Sequence, residues 1–150
     1  MQDMTTTRKF REALNLAYQR FNALQRGEKR CFGVTMSQCV ALETLHREGP
    51  IPVRELSQRM GLDTSSVTRL VDVLVRDGLA QRARDEAGDR RRVFVSLSES
   101  GCELASRLEG CGDAYCERIL ERIPAERHDE VLQTLQLLVQ AIDELPATCG

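Results

Sequence analysis

Tryptophan is absent from the 150 residues, and there are only two tyrosines and four phenylalanines. A core must therefore be built mainly from Leu, Val and Ile, and the 41% apolar content is enough to supply one. No stretch approaches the run of about 20 apolar residues that a bilayer-spanning helix requires. The N-terminus, MQDMTTTRKF, lacks the apolar centre of a secretory signal. A cytosolic setting with no membrane partner is the expectation. No phosphate-binding glycine loop, HExxH pair or nucleophile elbow occurs, so nothing points to an enzyme. Asp and Glu are plentiful, but they fall on the solvent faces of predicted helices. The net charge of −2 weakens a case for nucleic acid based on bulk charge, but DNA binding needs only a local basic face.

Such a face exists. Between Arg69 and Arg92 the chain carries seven Arg and no Lys, against the acids Asp72, Asp77, Asp85, Glu86 and Asp89. Arg suits forked contacts to phosphate and guanine better than Lys does. The six cysteines are the other unusual feature, since a disulfide framework does not belong in a reducing compartment.

Residues from about Thr5 to Leu24 place Phe10, Leu14, Ala17, Phe21 and Leu24 on one stripe of a helix that Gly27 closes. A link from Glu28 to Gly33 follows. A second helix starts near Thr35 or Ser37, either suited to cap it, and runs to about Arg47, where Gly49-Pro50 stops it. Pro52 falls in the first turn of a third helix, with Val53, Leu56 and Met60 inward and Gly61 as its stop. Asp63 or Thr64 caps a fourth helix that runs to about Asp77, with Gly78 as its C-cap. Val67, Leu70, Val71 and Leu74 point inward, while Thr64, Ser65, Ser66, Thr68 and Arg69 crowd the opposite, N-terminal side.

The period then changes to two. Leu79 to Arg84 and Arg91 to Leu97 read as paired strands, with Val93, Val95 and Leu97 on one face and a turn at residues 85–89. A long helix from Ser98 to about Ile123 carries Leu104, Leu108, Cys111, Tyr115 and Ile119 as a stripe. After Pro124 a last helix from about Ala125 to Leu145 carries Val131, Leu135, Leu138, Val139 and Ile142.

A helix, a tight turn and a second helix, followed at once by an Arg-rich hairpin, fit a winged helix-turn-helix. The second helix must project short polar side chains into the DNA major groove and dock its other face on the domain body. Residues 64–77 meet both needs. Ser and Thr can donate to phosphates or base edges, and Arg69 can reach a guanine or a phosphate. The hairpin tip suits a wing on the backbone or in the minor groove, where Arg is favoured. Read more blandly, Thr64-Ser65-Ser66 is only a helix cap and the Arg run a solvated hairpin. The fold class is therefore mostly α with a small β-hairpin wing (α+β).

The run from Leu56 to Gly101 resembles the DNA-binding core of the MarR family of transcriptional regulators. The marks are Leu56…Gly61…Val67-Thr68-Arg69…Leu74…Gly78-Leu79, the Asp89-Arg90-Arg91 wing, and Leu97-Ser98-Glu99-Ser100-Gly101 leading into the next helix. The flanking helices match as well, so the resemblance spans nearly the whole chain. It implies one domain over residues 1–150, with a winged-helix part over about 35–101 and dimerisation helices over about 5–27 and 102–145. The terminal apolar stripes agree, being more than a small winged domain can bury alone. The resemblance further implies a homodimer on double-stranded DNA, with a pseudo-palindromic operator and repression as the usual outcome. Site residues carried over are Thr64, Ser65, Ser66, Thr68 and Arg69 on the reading helix, and Arg84, Asp89, Arg90, Arg91 and Arg92 on the wing. Asp89 would hold Arg91 in place.

A regulator of this kind needs an input, and the thiols offer one. Cys102 and Cys111 face opposite ways on one helix, and Cys111 and Cys116 lie about 140° apart, so neither pair chelates from one face. Cys149 lies in the tail. Cys31, Cys39 and Cys111 converge in the family layout near the crevice where effectors bind. Three thiolates would suit a thiophilic metal or metalloid ion, and two could instead form a sensing disulfide. Against this stands the common role of Cys as a small buried hydrophobe. The chain lacks the reactive Cys that peroxide-sensing members carry early in the first helix. It also lacks the His-rich fifth helix of zinc-sensing members, since His46 and His128 are isolated and expected at the surface. Small phenolic ligands as effector, with structural cysteines, or a helical protein-interaction module are the alternatives.

Overall fold

The computed structural model describes residues 4–28, 32–85, 88 and 91–146, with side chains of the first helix described through residue 23. Its elements are α1 (Met4–Glu28), α2 (Met36–Glu48), β1 (Ile51–Pro52), α3 (Val53–Met60), α4 (Thr64–Arg76), β2 (Ala80–Arg84), β3 (Val93–Leu97), α5 (Glu99–Leu120), a 3-10 turn (Ala125–Arg127) and α6 (His128–Asp143). The mostly helical class with a small β wing is the one observed. The chain divides into two compact units, Met1–Glu109 and Gly110–Gly150.

In the first unit, helix ends are set by local chemistry. Thr35 caps α2 in a reciprocal box. Its hydroxyl accepts from the Gln38 N–H at 3.2 Å, and the Gln38 Oε1 accepts from the Thr35 N–H at 2.7 Å. Helices α3 and α4 stop in the same way, on a left-handed glycine. After α3, Gly61 (φ 64°) lets Leu62 donate back to the Ser57 carbonyl. After α4, Gly78 (φ 73°) lets Leu79 donate to the Leu74 carbonyl. The stop at Gly61 brings the chain round sharply from α3 into α4, and the stop at Gly78 turns it from α4 toward β2.

Val67, Val71 and Leu74 of α4 lie on one face and are fully buried. They close on Leu42 and Leu45 of α2, Leu56 of α3, Val95 of β3, and Ala105 and Leu108 of α5. Each such Leu or Val contributes roughly 1.5–3 kcal/mol through burial. Leu70, expected inward, is only partly buried against this cluster.

The sheet is antiparallel in the order β1-β3-β2. Arg82 pairs with Val95 and Arg84 with Val93 across β2 and β3, and Asp85 donates to the Arg92 carbonyl to extend the ladder. The two-residue β1, which pairs Ile51 with Val95, was not expected from the sequence. It is too short for a period to register, and its proline is tolerated because β1 is an edge strand. The first helix runs through Gly27 to Glu28 rather than closing at Gly27. A helical glycine costs only about 1 kcal/mol and forces no end unless the backbone turns left-handed there.

Gly101 in the first turn of α5 is buried against the corner after α4. A Cβ there would meet the Leu79 carbonyl oxygen at 1.9 Å. Ser98 clamps the same corner, its hydroxyl donating to the Gly78 carbonyl at 2.6 Å and accepting from the Gly101 N–H at 3.0 Å.

In the second unit, α5 ends at Leu120 and the chain turns at Pro124. His128 is not an isolated surface residue. Its Nε2 lies 2.9 Å from the carbonyls of both Leu120 and Ile123. Because carbonyls only accept, Nε2 carries the proton and caps the end of α5. No residue of α6 is buried. No helix among the described residues is long and apolar enough to cross a membrane.

Candidate nucleic-acid interface

The inward face of α4 fixes what its outward face can offer. With Val67, Val71 and Leu74 buried, the exposed residues are Thr64, Ser65, Thr68, Arg69, Asp72 and Arg76, with Ser66 half-buried. The expected reading residues therefore share one helix and one exposed side. Asp63 starts the helix. Its carboxylate accepts the Ser66 N–H at 2.8 Å, the Ser65 hydroxyl at 2.5 Å and the Ser66 hydroxyl at 2.6 Å. The Ser65 hydroxyl, then the Ser66 hydroxyl and N–H, hold its pKa far below the usual carboxylate range. Thr68 donates to the Thr64 carbonyl at 2.8 Å. Arg69 is exposed and enters no ion pair among the described residues.

The wing is built from β2 and β3. Arg84 sits exposed at the far end of β2. Arg92 lies 3.8 Å from Glu55 of α3, its guanidinium 5.6 Å from the Phe94 ring centroid. The Glu55 contact links the loop end of the hairpin to the start of α3, weakly because both side chains are exposed. An open groove of about 540 Å³ lies there, lined among others by Arg54, Glu55, Gln58, Arg91 and Arg92. Asp89 and Arg90 lie outside the described residues, so the expected Asp89–Arg91 pairing falls there too. Arg82 was only one of a cluster in the sequence. In the structure its guanidinium meets Asp72 of α4 at 2.5 Å. Arg54 was missed because it falls within the third helix, apart from the Arg-rich run. Arg59, in the last turn of α3, is held by Glu48 at 2.9 Å, a hydrogen bond that raises its pKa.

The described thiols differ in burial. Cys39 is buried in the core of the first unit, its S–H donating to Glu43 Oε1 at 3.2 Å. Cys111, expected on the apolar stripe with Leu108, is exposed, as are Cys102 and Cys116. The buried residues of α5 are Gly101, Ala105 and Leu108, all before Cys111. Cys31 and Cys149 lie outside the described residues. Among the described residues, no three His, Cys, Asp or Glu side chains are arranged to hold a metal ion. His46, expected to be isolated, lies 3.2 Å from Glu109 of α5.

A short helix, a glycine turn, a helix with an exposed hydroxyl- and arginine-bearing side, and an arginine-bearing hairpin define a winged helix-turn-helix DNA-binding protein. A model of the MarR family matches residues 32–92. Among similar proteins is the uncharacterized HTH-type transcriptional regulator Mb0904 of Mycobacterium bovis, 30% identical over 89% of this chain and 92% of its own. A solved MarR family protein from Bacillus stearothermophilus is 27% identical with a TM-score of 0.84, covering 96% of this chain and all of that one. Streptococcus pneumoniae FabT, solved in complex with DNA, shares the fold at 18% identity with a TM-score of 0.81, covering 91% and 99% of the two chains. The chain belongs to the MarR family of HTH-type transcriptional regulators, which are DNA-binding proteins and not enzymes.

Proposed function

We propose that this regulator binds a pseudo-palindromic operator as a homodimer and represses by occluding the promoter it covers. Helix α4 would enter the major groove with Thr64, Ser65, Ser66, Thr68 and Arg69. The wing would follow the backbone or minor groove with Arg84, Arg90, Arg91 and Arg92, Asp89 orienting its Arg91 neighbour. The observation that carries this reading is the division of α4 itself. On one face Val67, Val71 and Leu74 are fully buried, and the other sets hydroxyls and Arg69, which enters no ion pair among the described residues, in the open beside an arginine-bearing hairpin. The homodimer is supported by apolar side chains left exposed on α1 and α6, among them Phe10, Phe21, Leu135 and Ile142. A cytosolic setting and an effector that releases the DNA complete the reading. If that effector is a thiophilic ion or an oxidant, Cys111 and not the buried Cys39 is the described member of the expected thiol set open to it.

The experiment is selection of a duplex from a randomised pool, followed by binding measured against salt. Affinity should fall steeply with salt, with a slope of roughly −0.9 per phosphate neutralised. The selected sequence should have two-fold symmetry with half-sites about one helical turn apart. Enrichment of no duplex, or an asymmetric single site bound by one chain, would sink the proposal.

A further inference from the structure

The hydroxyls that α4 exposes are not free to act as donors. A hydroxyl has one proton, and a carboxylate or carbonyl can only accept. Ser65 and Ser66 both give their protons to Asp63, at 2.5 and 2.6 Å, and Thr68 gives its proton to the Thr64 carbonyl at 2.8 Å. The Asp63 bonds are charge-assisted, so they are the stronger kind. Thr64 differs. Its neighbour Ser57 already donates to the Arg54 carbonyl at 2.7 Å, so the 3.4 Å contact between Thr64 and Ser57 can use only the Thr64 proton, and it is long.

We propose that Asp63 acts as a positioning residue that makes Ser65 and Ser66 hydrogen-bond acceptors toward DNA, as the Thr64 carbonyl does Thr68, so that they read exocyclic amino groups. This rests on the proposal that α4 reads the major groove. Lone pairs facing that groove are satisfied only by donors, which are the N4 amino group of cytosine and the N6 amino group of adenine. Thymine O4, guanine O6 and N7, and phosphate oxygens are all acceptors, and they would face another acceptor at these three positions. On this half of α4, donation to guanine or to phosphate then falls to Arg69 and to the loosely held Thr64. The order of side chains on the helix thus sets a pattern. Ser65 and Thr68 are three residues apart on one side and favour adenine or cytosine, while Arg69 beside them favours guanine or a phosphate. Turning a serine proton outward would strip an ionised carboxylate of one of its partners, which is why the bias holds on the bound helix as well.

The test starts from the duplex enriched from a randomised pool by the full chain. Enrichment of none overturns the DNA-reading proposal itself, separately from this one. On the enriched duplex, each adenine is replaced in turn by purine, which lacks the N6 amino group, and each cytosine by 2-pyrimidinone, which lacks the N4 amino group. In each half-site, loss of at least one amino group is expected to weaken binding about five- to tenfold, the size of one lost hydrogen bond. Asp63→Asn keeps a capping oxygen but adds an amide donor that frees a serine proton. That variant is expected to accept thymine or guanine at the same position. If it fails to fold, Ser65→Ala and Ser66→Ala supply the second measurement, because one of them should erase the amino-group penalty. The proposal is overturned if no amino group in the native complex matters by more than about twofold. It is equally overturned if Asp63→Asn keeps the full native discrimination, or if the penalty survives in both hydroxyl variants.

Discussion

Arg82 Nη2 lies 2.5 Å from Asp72 Oδ1, which ties strand β2 of the wing to the exposed side of α4 ten residues earlier in the chain. The pair is partly exposed, with side-chain accessibilities of 33% and 57%, so its direct contribution to stability is about 1 kcal/mol or less. It links two elements that the proposed function places on the same duplex, so its loss bears on how they present themselves together.

Arg82→Ala is therefore expected to weaken operator binding while leaving the dependence on salt unchanged, since an arginine paired to Asp72 releases no counterions. Arg84→Ala is expected to reduce the salt slope by about one phosphate's worth. Titration of both variants at several salt concentrations separates the roles. A drop in slope for Arg82→Ala equal to that for Arg84→Ala would show that Arg82 contacts the backbone and that the pairing with Asp72 is not kept on DNA.

The corner where α5 crosses the end of α4 should be the least tolerant glycine position in the chain. A Cβ on Gly101 would sit 1.9 Å from the Leu79 carbonyl oxygen, a backbone atom that also accepts from the Ser98 N–H at 3.0 Å. Neither partner can swing aside as a flexible side chain would. Gly101→Ala is expected to destabilise by about 1–3 kcal/mol or more, the range for overpacking. Ser98→Ala, which loses two hydrogen bonds at the same corner, should cost about 1 kcal/mol. Urea unfolding checks both, and a Gly101→Ala variant as stable as the native chain would contradict the packing described.

These two relationships show where sequence reading stops. Helix α4 was legible because its buried face repeats at helical spacing between a capping aspartate and a stopping glycine, all within fifteen or so residues, a local pattern. The Ser98–Gly101 segment was legible only as part of a family pattern. Its reason is a carbonyl some twenty residues away, brought there by the fold. Arg82 counted toward a basic cluster because charge can be tallied along a chain, but its partner depends on strand register. Period puts Cys111 on a stripe with Leu108, yet a stripe does not say how far burial extends along it, and the thiol is exposed. His128 carries no periodic signal at all, since its partners are carbonyls at the end of another helix.

The cap on α4 should lose strength in acid. The Ser65 and Ser66 hydroxyls and the Ser66 N–H depress the pKa of Asp63, whose ordinary value is 3.8. A group with a folded-state pKa below its unfolded one stabilises fully above the unfolded value, and that contribution fades as pH falls toward the folded value. The melting temperature of the native chain should thus exceed that of Asp63→Ala by a constant margin at neutral pH. The margin should shrink as pH falls below about 4. A margin that is flat through that range would mean the serine bonds to Asp63 are not kept in solution.

Among the described thiols, Cys39 should be the last to react. It is 1% exposed and hydrogen-bonded to Glu43, whereas Cys102, Cys111 and Cys116 are open to solvent. Brief treatment of the native protein with a bulky maleimide, followed by peptide mass mapping, is expected to label the three α5 cysteines at least tenfold faster than Cys39, since modification of a core thiol waits on local opening. Equal labelling of Cys39 would place it at a site reagents enter, and would restore it as a candidate sensor.

The apolar side chains of α6 are arranged as an interface would require. Leu132, Leu135, Val139 and Ile142 recur at spacings of three, four and three, and they are 55%, 51%, 57% and 49% exposed. On α1, Phe10, Leu14 and Phe21 are exposed in the same way. A stripe of this size left in water favours association, and burial of one such side chain contributes roughly 1.5–3 kcal/mol. In a two-fold dimer every interface position occurs twice. One substitution then removes about 3 kcal/mol or more, which corresponds to at least a hundredfold weaker dimer. Ile142→Asp is therefore expected to convert a micromolar dimer into a monomer by sedimentation, with helix content kept because α6 supplies no buried residue. The monomer should bind a single half-site as the native chain does and lose its advantage on the full palindrome. A native chain that sediments as a single copy at every concentration, or an Ile142→Asp variant that stays dimeric, would remove α6 from the interface.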